Sequence, residues 1–181
     1  MDEALTPKEL SEQGSQAYKQ GEFTTAAAIF ERASVGFQQS GDPISAAEMV
    51  NNRCVALIQA GEAQAALQAV QGTAQIFEQA GDIRRQAMAY GNEASALEAL
   101  GKNKEALEKY QQSSELLKSI DEKELRVFVL KSISSIQMRM GHQMEAMASM
   151  QAALDLQPKL SLRERLLNKL LNIPFKMLGK S

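Results

Sequence analysis

Tryptophan is absent from the 181 residues, aromatic residues make up only 5%, and the chain holds one cysteine and one histidine. A lone Cys54 excludes an intramolecular disulfide and suits a reducing compartment. Cys54 and His142 cannot make a zinc site without acidic ligands at suitable spacing, and none is evident. No run approaches the roughly 18–20 apolar residues that a membrane-spanning helix needs. The start, Met1-Asp2-Glu3, lacks the basic residues and apolar stretch of a secretory signal. Phosphate-binding loops and dinucleotide fingerprints are missing too, and paired carboxylates occur only as solvated helix faces. A net charge of −2 gives no general attraction to nucleic acid. The expectation is a soluble cytoplasmic protein, not an enzyme, with no cofactor, no metal and no nucleic-acid partner.

What the chain does have is 44% hydrophobic and 23% charged residues, enough for a packed core, and a strong internal repeat. Gly21, Gly61, Gly101 and Gly141 recur every 40 residues, as do Ala26, Ala66, Ala106 and Ala146. Phe30, Val70, Tyr110 and Met150 keep the same phase with a large apolar side chain. Between them lie Gly41-Asp42, Gly81-Asp82 and, read as their counterpart, Ile120-Asp121. Several series in one phase mark a duplicated unit. Each unit reads as two helices: in the third, 84–100 is free of proline, and 104–120 carries Leu107, Tyr110, Ser114 and Leu117 on one face. The recurrent alanine suits the crossing of the two helices, where a larger side chain would force them apart.

Helix starts are marked by a capping box at Thr6-Pro7-Lys8-Glu9, by N-caps at Asp42 and Asp82, and by a second capping box, Ser161 to Glu164. The predicted architecture is all-α: four helix pairs at about 7–40, 43–80, 83–120 and 123–157, with a separate C-terminal helix and tail over 158–181. Cys54 falls within a helix and reads as a small core residue rather than a nucleophile, and His142 reads as exposed beside a turn. Of the clustered Met138, Met140, Met144, Met147 and Met150, most read as core and a minority as adaptable surface.

The first unit, with Gly14, Tyr18, Lys19-Gln20-Gly21-Glu22-Phe23, Ala26, Phe30 and Ala33, resembles the tetratricopeptide repeat (TPR) consensus, and Leu154 to Pro158 resembles that family's repeat ending. The 40-residue spacing exceeds the usual 34. In this it is similar to the extended repeats of LGN/Pins-type polarity adaptors and, more loosely, of kinesin light chains, with Ala89-Tyr90-Gly91-Asn92 the nearest match. The resemblance implies a right-handed α-α superhelix that binds a peptide or partner protein in its concave groove. Ser11 and Ser15 stand where the chaperone-binding members carry a Lys and an Asn for a terminal carboxylate, which argues against that ligand. Arg53 and Glu93 replace a usual Leu at equivalent places; they either pair with each other or reach solvent separately.

In such solenoids the first helix of each pair lines the concave side. Helical spacing then puts Glu48, Asn51, Asn52 and Val55, then Met88, Asn92 and Ser95, then Phe128, Lys131, Ser135 and Arg139 on the groove, with Lys8, Ser11 and Ser15 from the first unit. A side-chain amide offers both donor and acceptor, so Asn52 and Asn92 can bond the backbone of an extended peptide whatever its sequence. The resemblance to the extended-repeat adaptors implies that role as well. The alternative is that both amides bond neighbouring turns and help stack the repeats.

The tail from Pro158 carries six basic residues against Glu164, a surplus of five that leaves the preceding 157 residues at −7. Leu162, Leu166, Leu167, Leu170 and Leu171 form an apolar stripe at helical spacing before Pro174 breaks the helix. One reading is a cap over the last exposed face of the array. The other is contact with an anionic membrane surface or a second partner through Arg163, Arg165, Lys169, Phe175 and Lys176. Both can hold together.

Overall fold

The computed structural model describes residues 5–157, 159, 161, 163–168 and 171. All regular structure among them is helical. The first pair is α1 (Pro7–Lys19) and α2 (Phe23–Gln39); the second is α3 (Pro43–Gln59) with α4 (Ala63–Val70) and α5 (Thr73–Gln79). The third is α6 (Ile83–Ala99) and α7 (Asn103–Ser119), and the fourth α8 (Lys123–Arg139) and α9 (Gln143–Asp155). Residues 163–168 and 171 are helical as well. Apart from α4 and α5, each element packs on the next along the chain, and α3 also packs on α6, the arrangement of a helical-repeat solenoid.

One turn is used throughout. After α1, the Gly21 N–H donates to the Tyr18 carbonyl and the Glu22 N–H to that of Ala17, both at 3.0 Å, which is a Schellman closure. The same two bonds, i to i−3 and i to i−5, recur at Gly41, Gly61, Gly81, Gly101, Asp121 and Gly141. The punctuation is therefore every 20 residues, within pairs and between them. The third inter-pair turn corrects the sequence alignment by one place. Asp121, not Ile120, takes the glycine position, at φ 54°, and Glu122 takes the N-cap place without a side-chain bond. Asp tolerates the left-handed region better than most residues but still less well than glycine. Asp121→Gly should therefore stabilise the protein by about 0.5 kcal/mol. The lost Asp121–Lys123 contact (3.2 Å) is exposed and contributes little. A urea midpoint that moves down rather than up would contradict this.

The expected caps are formed. Thr6 and Glu9 exchange both capping-box bonds, and Asp42 and Asp82 accept from the Ser45 and Arg85 N–H groups at 2.9 Å. Ala26, Ala66 and Ala106 are 0% exposed and Ala146 1%, at the helix crossings. Cys54 is fully buried, and burial, reinforced by Glu93, pushes its thiol up to about 12, so it is inert core.

The second helix of the second pair departs from the expectation of one continuous helix. It breaks at Gln71-Gly72, where Gly72 has φ 87° and a Cβ there would meet nothing within 4 Å. Gly72 is thus present for its backbone conformation, not for close packing. Buried Thr73 closes the break by donating to the Val70 carbonyl at 2.8 Å. Beyond it Phe77, 0% exposed, anchors α5 in a small second core with Ala47, Ala74 and Ala89.

Candidate partner-binding groove

The first helices α1, α3, α6 and α8 carry the candidate residues. Positions 40 apart share a register: Lys8, Glu48, Met88 and Phe128 on one row, then Glu12, Asn52, Asn92 and Ser132, then Ser15, Val55, Ser95 and Ser135. Met88 and Phe128 are exposed, at 38% and 64%.

Most of the charge on this face is neutralised internally. Glu48 meets Arg85 at 3.3 Å, and Arg84 meets Glu122 at 2.6 Å. Arg139 donates to Glu98 at 2.6 Å and to Ser135 at 3.3 Å. The other Glu98 oxygen accepts from the Tyr110 hydroxyl at 3.0 Å, and that hydroxyl lies 2.9 Å from Ser95 Oγ. Burial pushes the Tyr110 phenol up to about 12, so it stays protonated and donating. Lys131 meets Glu164 at 3.0 Å, and the Gln157 amide, turned to suit, bridges the two.

Asn52 and Asn92 differ from all of these. Both are half-buried, and neither side-chain amide has a hydrogen-bond partner among the described residues. The Asn92 main-chain carbonyl in addition lies 3.8 Å from Cys54 Sγ. The alternative in which these amides bond neighbouring turns has no counterpart among the described residues.

Two expectations are corrected. Asn51 does not reach the groove: it is 6% exposed, with Oδ1 3.4 Å from Thr73 Oγ1 at the start of α5. Arg53 and Glu93 neither pair with each other nor reach solvent separately. Arg53 meets Glu31 of α2 and Glu93 meets Lys109 of α7, both at 3.0 Å. Residues in the same register on neighbouring helices point the same way rather than toward each other. The ion pairs that do join successive first helices are offset from the repeat interval, as Arg85 with Glu48 and Arg84 with Glu122 are.

The C-terminal helix docks on the fourth pair. Ser161 and Glu164 form the expected capping box, Gln151 of α9 donates to Asn168 at 2.9 Å, and Leu171 is buried. Leu166 is 62% exposed, and Arg163 and Arg165 are exposed beside it. Leu162, Lys169, Leu170, Phe175 and Lys176 lie outside the described residues. The Ser161 backbone N–H, then its hydroxyl, then Lys131 hold the Glu164 carboxyl down at about 2 from an ordinary 4.5. A depressed carboxyl stabilises the folded state above its unfolded value and loses that contribution as pH falls through its folded value. The cap should therefore persist from pH 4.5 down toward about 2. A Glu164 carboxyl carbon shift that titrates near 4.5 would contradict it.

His142 is exposed at the α9 N-cap, Met138 and Met144 are exposed, and Met140 packs on the core. No group of three metal-ligating side chains occurs among the described residues, and no helix among them is long and apolar enough to cross a membrane.

Nine described helices, the 20-residue turn and the stacked pairs define a TPR-like helical-repeat protein. The family model "SNAP: Soluble NSF attachment protein, SNAP" matches residues 3–171, and the chain belongs to that family. In the solved structures the chain is similar to a Podosopora anserina kinesin-light-chain protein with nearly identical TPR-like repeats. That likeness has a TM-score of 0.54 and 12% identity and covers 100% of both chains. A single-substitution variant of the same protein gives 0.53 and 12%, over 96% of each. No match was found among curated proteins.

Proposed function

We propose that this chain is a non-catalytic adaptor that holds an extended segment of a partner protein along α1, α3, α6 and α8. The observation that carries the reading is the pair of half-buried, unpartnered amides, Asn52 and Asn92, at one register of successive repeats. A half-buried amide without a protein partner bonds water, which a ligand's main chain can displace by offering a donor and an acceptor of its own. In this the groove works as the resemblance to extended-repeat adaptors implies. The internally paired charges around it, Glu48, Lys131 and Arg139, fix the walls, while Met88, Ser95 and Ser135 line them.

The family's name records attachment to NSF, so an NSF-type protein is the first partner to offer. A photo-crosslinking amino acid at Met88, exposed on the groove, should capture that partner, while the same group at Glu78, exposed on α5 and not on a first helix, should not. Equal capture from both positions would contradict a groove.

A second contact is favoured by exposed Arg163, Arg165 and Leu166 on the docked C-terminal helix. This helix caps the array and presents a basic, partly apolar strip to an anionic membrane surface or another protein. Co-sedimentation with anionic vesicles that is unchanged by Arg163→Glu with Arg165→Glu would remove the membrane version.

A further inference from the structure

Between α1 and α3 the groove deepens into a crevice of about 250 Å³ lined by Ser15, Tyr18, Lys19, Phe30, Asn52 and Val55. Its walls are fixed: the Tyr18 ring stands edge-on to Phe23 at 5.3 Å, and Phe30 is 3% exposed. The Ser15 hydroxyl is already engaged by the Ser11 carbonyl at 2.9 Å. Three polar groups therefore remain in the lining, the Tyr18 hydroxyl, the Asn52 amide and the Lys19 ammonium, and none has a partner among the described residues. Glu12, exposed on the same helix, does not line the crevice.

The equivalent space between the third and fourth pairs shows what the crevice lacks. There Tyr110 stands in the place of Phe30, Glu98 in that of Tyr18 and Arg139 one repeat beyond Ala99. The chain of bonds from Ser95 through Tyr110 and Glu98 to Arg139 occupies that junction. No such chain is present among the described residues at the first junction, where the corresponding side chains are apolar or unpaired.

We infer that this crevice is the anchor subsite of the groove and takes one bulky apolar side chain of the partner peptide, with an acidic group next to it. The inference rests on the groove reading and names the chemistry of its ligand. A dry cavity of about 150 Å³ holds a benzene molecule, so the space here accommodates a leucine or phenylalanine side chain. A rigid pocket spares the ordering cost that a collapsing one would impose. The Asn52 amide then bonds the peptide backbone beside the inserted side chain, and Lys19 meets a carboxylate. That carboxylate is an Asp or Glu side chain, since Ser11 and Ser15 stand where a Lys and an Asn would be needed to hold a peptide's own terminus.

A random-peptide display selection on the full chain tests this, with libraries displayed both with free C-termini and with internal inserts. Peptides recovered should share a Leu, Ile, Met or Phe next to an acidic residue in both libraries, and a preference only for that apolar residue at a free C-terminus would contradict the inference. Lys19→Glu, an exposed change that should not affect folding, should replace the acidic preference by Lys or Arg. Val55→Phe should weaken the selected peptides at least 10-fold, with an unchanged circular-dichroism melt showing that the variant folds. Recovery of no peptide overturns the inference, and so does an affinity or preference unmoved by Lys19→Glu. If motif peptides respond to Lys19→Glu but not to Asn52→Ala with Asn92→Ala, the anchor stands and the main-chain reading of the groove falls.

Discussion

Phe77→Ala should cost about 3–5 kcal/mol, the range for removing a fully buried phenylalanine, and lower the thermal midpoint by roughly 6–20 °C for a chain of this length. Phe77 is 0% exposed, and the buried side chains around it are Ala47, Ala74 and Ala89. Alanines have no rotamers with which to fill a hole, so only the half-buried Ile44, Ile76 and Tyr90 beside them can relax toward the cavity, which sets the cost within that range. α5 is a seven-residue helix severed from α4 at Gly72, and it has little local stability of its own. The effect should therefore concentrate on α5 and on the α3 and α6 surfaces it covers. Amide hydrogen exchange resolves this: protection should fall first across 73–79. A loss below about 1 kcal/mol, or one spread evenly over all four pairs, would mean that α5 is not held by this contact.

Much of this architecture is legible in the residues. Glycine at a fixed interval, an apolar residue nine positions later and Asp at the N-cap are local signals, and each follows from backbone geometry and helical packing. The break at Gly72 is not legible in that way. Gly14 in α1 and Gly36 in α2 stay helical and serve close packing, since a Cβ would meet Phe30 at 2.9 Å or Pro7 at 2.7 Å. A glycine kept for close packing and one kept for a left-handed turn look alike until the neighbouring helix is in place. Asp121 failed to stand out for the opposite reason, since it fills a glycine place without being glycine.

The groove shows the same division. Spacing selects a candidate face, but adjacent residues on a helix differ by about 100°, and the placement of α3 decides between them. Asn51 turns into the core beside Thr73, and Asn52 faces the crevice. The partners of Arg53 and Glu93 come from α2 and α7, so no comparison confined to the first helices could find them. The unfilled space beside Tyr18 has no sequence signature, because it depends on what Phe30 and Val55 leave between them.

The double change Asn52→Ala with Asn92→Ala bears on the function itself. Each amide would supply the ligand backbone with hydrogen bonds worth about 0.5–1.5 kcal/mol net. Losing both should therefore weaken binding roughly 5- to 150-fold. Folding should be unaffected or slightly favoured, since neither amide has a partner among the described residues and alanine is the better helix former. Calorimetric titration of the full chain with its partner, beside a thermal melt of the same preparations, measures both quantities at once. The expected result is an affinity reduced by at least about 5-fold with an unchanged or raised melting temperature. Unchanged affinity with a lowered melting temperature would show that the asparagines hold the repeats together and that the partner binds elsewhere.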